Sequence, residues 1–467
     1  MKLVLQVLLT LSGICALVLL WRSRQGNRPS QAQLALLILV AGGLAADTAA
    51  LNPNPYFRLA VVTAFMGVFA VRLGWRNPVS VTRFRLGAAI LALWGWLFVV
   101  DILGGSIGPG EAAAPLTAFS VMALCAFATS PSGIDTRLVA RTVLMVIAVI
   151  AVLGPVTSTA WRSCDQFKCS LAGALFMGPF PSENELGIQA LFVLAWALIG
   201  LRGLVRQAAI LMSLLLFAVT DARTSLLAGA ICVTAYVCLR PGGQGITRRG
   251  ARIGFPGAAV FGVGSVVTGF LLVELSGPQT FSNRGGIWTQ ARALFAQHPL
   301  RGLGLHQWFV LQGVGLLPQH FAHSQYLLLM FAGGLVALGL YGVILGSALQ
   351  HLVNRPKSRL PDAIPVIALA VIGLTEVAWN PLTFDGSTWP ILAILLVAPR
   401  MQVRRGARAA TGAAPSLYRT PDGDSTSSLP SRSGQGGARR MPARRQRTTL
   451  EWPRPGRPGQ AGERAGS

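Results

Sequence analysis

The sequence predicts an all-α polytopic membrane protein with about 12–13 transmembrane helices and one large extracytoplasmic loop. Three observations carry this. The 467 residues are 52% hydrophobic and only 12% charged, and the mean hydropathy is positive, a balance foreign to water-soluble domains. Apolar runs close to the ~20 residues that cross ~30 Å of hydrocarbon recur along the chain. Arginines gather in alternate connections between those runs, as the positive-inside rule requires. The net charge of +24 is therefore topological, and with no recognition motif beside it nucleic acid is excluded as a partner.

The first run, 3–20, precedes Arg22, Arg24 and Arg28, which places Met1 outside and the arginines in the cytoplasm. A signal peptide would need a cleavage motif that is missing, and Ile14-Cys15 makes a poor lipoprotein site, so an uncleaved span is expected. Runs at 32–51, 57–74, 84–104, 112–130 and 138–158 follow. Arg72, Arg76, Arg83 and Arg85 mark one cytoplasmic connection and Arg137 and Arg141 the next, whereas the connections near Asp47 and Glu111 carry no Lys or Arg.

Residues 159–184 form an outer loop, on the oxidising side of the membrane, where Cys164 and Cys169 are expected to pair as a disulfide. Cys15, Cys125, Cys232 and Cys238 lie in apolar runs and are expected to be packing residues. Spans at 185–201, 207–220 and 224–239 come next, with Arg202 and Arg206 inside and Arg240, Arg248, Arg249 and Arg252 inside again. Asp221-Ala-Arg223 is too short for anything but a tight outer turn, so Arg223 sits at the outer surface, either snorkelling and paired with Asp221 or serving a site.

A span at 255–275 leads into the large outer loop, 276–323, and 325–349 returns to Arg355, Lys357 and Arg359. Gly342 and Gly346 form a GxxxG pattern, a signal of close helix packing. Spans at 362–378 and 388–399 enclose a last outer turn with Glu376, Asn380 and Asp385. The membrane domain thus covers residues 1–399. Residues 400–467 hold 14 arginines and four acids amid Gly, Pro and Ser, and are expected to be a disordered basic cytoplasmic tail facing anionic lipid.

Chemistry-bearing residues concentrate in Ser282–Gly334, which holds His298, His306, His320 and His323 with Arg284, Arg292 and Arg301 and no Asp or Glu. Such a cationic stretch suits phosphate or pyrophosphate. His320-x-x-His323 could place two imidazoles on one helix face, but no carboxylate or HExxH-type signature accompanies it, so no metal is expected. The other use is acid–base work, for which His323 is best placed because it stands where the loop becomes a helix. Position alone favours an interfacial histidine without chemistry. Trp288, Arg292, His298 and Ser324 stand beside it as candidates for a supporting part. No P-loop or Rossmann fingerprint is present, and Gly302-x-Gly304 is a turn signal only.

Four segments in order resemble the O-antigen ligase and polysaccharide polymerase superfamily: GPFPSENELG, Arg223-Thr-Ser-Leu-Leu, NRGGIWTQARALFAQHPLRGLGLHQW with its Ile-Trp pair and Pro…Gly-x-Gly, and AHSQYLLLMFAGG, in which His323-Ser324 opens a span and Gly334 follows. Ala337 departs from the residues ligases often carry there, which bears on subtype. The resemblance implies a membrane glycosyltransferase of the type-C-like class, independent of metal and of any cofactor. It would transfer or polymerise a glycan from a polyprenyl-pyrophosphate carrier onto a glycan or lipid acceptor hydroxyl, at the outer face of the cytoplasmic membrane, in surface-polysaccharide synthesis. Arg223 and Arg284 would hold the pyrophosphate and His323 would activate the acceptor. A lipid-linked oligosaccharide flippase or exporter would instead need a polar path through the spans, where ionisable residues are scarce. A non-catalytic envelope-assembly protein would leave the Arg and His positions unexplained.

Overall fold

A computed structural model describes residues 1–23, 31–50, 60–65, 68, 81–105, 112–127, 134–164, 168–240, 253–280, 284–318, 321–355 and 359–397. Most of the expected span at 57–74, His320, and the tail 400–467 lie outside the described residues. Helices α1 (Lys2–Arg22), α2 (Gln31–Ala50), α3 (Val81–Leu103), α4 (Ala113–Phe127) and α5 (Thr136–Leu153) precede a two-stranded antiparallel hairpin, β1 (Trp161–Ser163) and β2 (Ala174–Phe176), in which Arg162 stands opposite Leu175. Cys164 and Cys169 are disulfide-bonded within that hairpin. There follow α6 (Glu183–Gly200), α7 (Gly203–Thr220), α8 (Arg223–Leu239), α9 (Phe255–Leu275), α10 (Arg284–Phe295), α11 (His306–Gly313), α12 (Gln325–Val353), α13 (Ile364–Ile372) and α14 (Trp389–Leu396).

The protein is helical, and six described helices are long and apolar enough to cross a membrane: 2–22, 81–103, 136–156, 203–220, 255–275 and 325–353. Fewer helices reach that length than the 12–13 spans expected: among the described residues the runs at 32–51, 112–130 and 224–239 appear as shorter apolar helices, and the last two runs depart furthest. The run at 362–378 gives a helix over Leu360–Ile372 that opens as a 3-10 turn, and the run at 388–399 gives one of only eight residues, both shorter than the ~20 residues that cross ~30 Å of hydrocarbon. Apolar composition continues past Ile372, but Gly373, Pro381 and Asp385-Gly386 favour turns, and the backbone closes turns from Gly373 to Thr388 instead. The connection 276–323, expected as a large outer loop, is also not featureless, since α10 and α11 form within it.

Local sequence explains the helix starts. Asp135 caps α5 by accepting from Leu138 N at 2.8 Å. Ser182 caps α6 by accepting from Glu185 N at 3.3 Å, with Glu183 and Glu185 in the first turn where the helix dipole favours acids. Helices α9 and α12 approach through glycine, because a Cβ on Gly346 would lie 2.6 Å from the Ala258 carbonyl and one on Gly262 would collide with the Gly342 carbonyl.

One long helix is broken. In α12, Gly334 has φ 66° and ψ −160°, a conformation open essentially to glycine alone. A break there frees the carbonyls of Phe331 and Ala332 and the amides of Leu335 and Val336, which would otherwise bond one another in the i→i−4 ladder. The loop 299–304 takes up all four: Leu303 N donates to Phe331 O (2.8 Å), Gly304 N to Ala332 O (3.0 Å), Leu335 N to Pro299 O (2.9 Å) and Val336 N to Leu300 O (3.4 Å). Trp96 of α3 donates to the Gly333 carbonyl at 2.7 Å. Non-helical backbone in an apolar bundle survives only when its polar groups are satisfied like this. The half-helix from Gln325 to Gly333 is thereby fixed in place, with His323 just before its start.

Candidate functional site

His323 enters α12 with a positive φ of 48°, uncommon for a residue with a Cβ and a form of backbone strain that gathers at functional positions. Surrounding contacts hold it there. Ser324 caps the helix by accepting from Leu327 N (3.3 Å), and Gln325 N donates to the carbonyls of Gly373 (2.8 Å) and Glu376 (3.1 Å). From the other side, Trp288 on the buried face of α10 donates its indole N–H to the Ala322 carbonyl at 3.0 Å. The histidine is thus set between α10 and the turn that follows α13.

That turn delivers Glu376, 4% exposed. Its Oε1 pairs with Arg284 Nη1 at 2.8 Å and accepts from Thr224 Oγ1 at 3.0 Å, while Oε2 lies 3.5 Å from His323 Nδ1. Arg284 Nη1 also donates to the Thr375 carbonyl at 2.5 Å. Burial pushes the Glu376 carboxyl up, but the His323 hydrogen bond and the Arg284 charge outweigh it and hold the group below its ordinary range. Glu376 is therefore a carboxylate at neutral pH and can only accept. A carboxylate facing His323 Nδ1 favours the tautomer in which that nitrogen donates. His323 and Arg284 side chains keep 27% and 19% of their exposure, so both can be reached.

The other sequence candidates fall into separate places. Arg223 is 70% exposed and makes a two-point contact with Asp221, Nε to Oδ1 and Nη2 to Oδ2, both 3.2 Å. Its guanidinium lies on that partner, although the next residue, Thr224, reaches Glu376. Arg292 donates to the carbonyls of Val273 (2.9 Å), Glu274 and Ser276 (3.5 Å) and faces the Glu274 carboxylate at 3.7 Å, so it ties α10 to the end of α9. His298 sits half-buried in the turn after α10, where its carbonyl accepts from Gly302 N at 2.8 Å. Trp288 and Ser324 shape the backbone around His323. Among the described residues no group of three or more His, Cys, Asp or Glu is placed to hold a metal.

The stretch 282–334 contains no acid of its own, yet the assembled site is not purely cationic, because Glu376 comes in from the turn after α13. The signal that could have found it was a carboxylate within an otherwise apolar segment. Asp101, expected at an interface, is instead buried in α3, where it accepts from His306 N at 2.9 Å at the start of α11. Fold and site together define a helical protein with helices able to cross a membrane and a buried carboxylate linking an arginine to a histidine. Comparison with protein-family models, with curated proteins and with solved structures finds no match to the chain.

Proposed function

We propose that this chain is a metal-independent membrane glycosyltransferase of the O-antigen ligase and polysaccharide polymerase type. It transfers a glycan from a polyprenyl-pyrophosphate carrier to an acceptor hydroxyl at the outer face of the cytoplasmic membrane. The observation that carries the reading is the Arg284–Glu376–His323 chain, together with the motif resemblance of the segments that hold Arg284 and His323. His323 Nε2 takes the proton of the acceptor hydroxyl as its oxygen bonds to the anomeric carbon. The bond from that carbon to the pyrophosphate oxygen breaks, and the electron pair leaves with the polyprenyl pyrophosphate. Arg284 commits Nη1 to Glu376 and Thr375 and keeps Nη2 and Nε for the departing anion, and Arg223 at the surface supplies a second guanidinium once it exchanges Asp221 for phosphate.

The test uses the purified full chain, a polyprenyl-pyrophosphate glycan and an acceptor, with EDTA in one arm. Transfer that continues in EDTA is the expected result. Loss with EDTA that added metal restores would return the site to the metal reading, and absence of any transfer, with carrier-linked glycan moved across a vesicle membrane instead, would favour the flippase. Carrier-linked glycans in a deletion strain separate the subtypes: long polymer indicates a ligase, single repeats a polymerase.

A further inference from the structure

The close crossing of α9 and α12 leaves a groove beside it. Its volume is about 210 Å³, and Ala258, Val263 and Val267 line one wall with Gly339, Val343 and Ser347 on the other. The chain does not fill it, since a Cβ on Gly339 would meet nothing within 4 Å. Val263 and Val343 are 61% and 54% exposed there, so in a bilayer the groove opens to hydrocarbon and admits an alkyl chain.

One end of the groove is polar. Arg85, exposed on the second turn of α3, stands there with Gln350 near the end of α12. The arginine bias assigns this end to the cytoplasmic side, because Arg83 and Arg85 lie in the first two turns of α3 and Arg355 and Arg359 follow α12. A cation at headgroup level of that leaflet, at the mouth of a channel for one alkyl chain, matches an anionic lipid in both charge and shape. We propose that the groove is a binding site for an anionic glycerophospholipid of the cytoplasmic leaflet, with its phosphate on Arg85 and Gln350 and an acyl chain laid between α9 and α12. The lipid would brace the helix pair whose far end carries His323. The inference does not depend on the proposed transferase activity.

The experiment is native mass spectrometry of the full chain in mild detergent, titrated with phosphatidylglycerol or phosphatidylethanolamine of equal chain length. Wild type is expected to retain phosphatidylglycerol about tenfold better, because the ammonium of phosphatidylethanolamine offsets the phosphate charge that Arg85 meets. Arg85→Gln should abolish that preference while some binding of both lipids remains. Gly339→Leu, which fills the groove and replaces a poor helix former with a good one, should lose binding of both lipids without lowering the unfolding temperature. Equal retention of the two lipids by wild type would overturn the proposal, as would unchanged binding in Gly339→Leu. A stronger preference for polyprenyl phosphate than for phosphatidylglycerol, or a dimer that Gly339→Leu disrupts with no lipid bound, would also overturn it by identifying another occupant.

Discussion

His323 Nδ1 lies 3.5 Å from Glu376 Oε2 although 53 positions separate the two residues. The same carboxylate holds Arg284 through its other oxygen. One buried acid therefore fixes both the tautomer of the proposed base and the position of the proposed phosphate ligand, so removing its charge should disturb both at once.

Activity should follow that order of dependence. His323→Ala is expected to lower turnover by about 10²–10⁴-fold with donor binding nearly intact. Glu376→Gln retains shape but offers one oxygen to partners that now use two, so either Arg284 or His323 meets an amide N–H. Turnover and donor affinity should then both fall, and stability should drop by about 1–3 kcal/mol for a charged hydrogen bond broken in a buried setting. Steady-state kinetics at varied donor concentration separates the variants. Full activity of His323→Ala would remove the mechanism.

Acid sensitivity should report the same carboxylate. Glu376 is held below its ordinary 4.5 in the folded protein. The stability it contributes is fully present above that value and declines as pH falls below it, because the unfolded chain then binds a proton that the folded site resists. Asp362, pushed up by burial, has the opposite slope, so wild type is compared with Glu376→Gln, in which the Asp362 part cancels. The difference in unfolding temperature should be constant above about pH 6 and shrink toward pH 3.5. An equal difference at both ends would show that the carboxylate is not held ionised by its partners.

Lysine cannot replace either arginine on this geometry. Arg284 spends one nitrogen on Glu376 and Thr375 and keeps others for phosphate, a division an ammonium cannot reproduce. Arg284→Lys should raise the donor KM and also slow turnover. Arg223→Lys, on a side chain 70% exposed, should leave stability unchanged and affect only the donor-dependent parameters. Unaltered kinetics in Arg223→Lys would reduce Arg223 to a surface partner of Asp221.

Legibility in the sequence depended on how local each feature is. Arg223 with Asp221 is a contact two residues apart, and the turn that makes it could be read directly. The long spans were legible from composition, as the expected 84–104 and 255–275 against observed 81–103 and 255–275 illustrate. The last two were misjudged in length because apolar residues report burial, and a short buried helix is as apolar as a crossing one. Glu376 was visible as a carboxylate of an expected outer turn, but its partners His323, Arg284 and Thr224 come from 53, 92 and 152 positions away, and one sequence carries no pairing information at that range. The same limit hid why Pro299, Gly302, Gly304 and Gly334 occur where they do: they are the two halves of one backbone clasp.

The clasp yields the sharpest stability test, because two glycines of one helix should respond in opposite directions. At Gly334 the backbone has φ 66° and an added Cβ would collide with the Leu300 carbonyl. Gly334→Ala should therefore destabilise by about 3 kcal/mol, combining strain at a glycine-only conformation with displacement of the loop that satisfies the broken ladder. At Gly339, five residues on, the helix is regular and an added Cβ meets open space, so Gly339→Ala should stabilise by up to about 1 kcal/mol through helix propensity. Gly334→Ala should also cost activity, since the loop 299–304 and the half-helix behind His323 would shift together. Thermal unfolding of both purified variants decides it. If Gly334→Ala stabilised the protein as Gly339→Ala does, α12 would be continuous and the loop would have no ladder to complete.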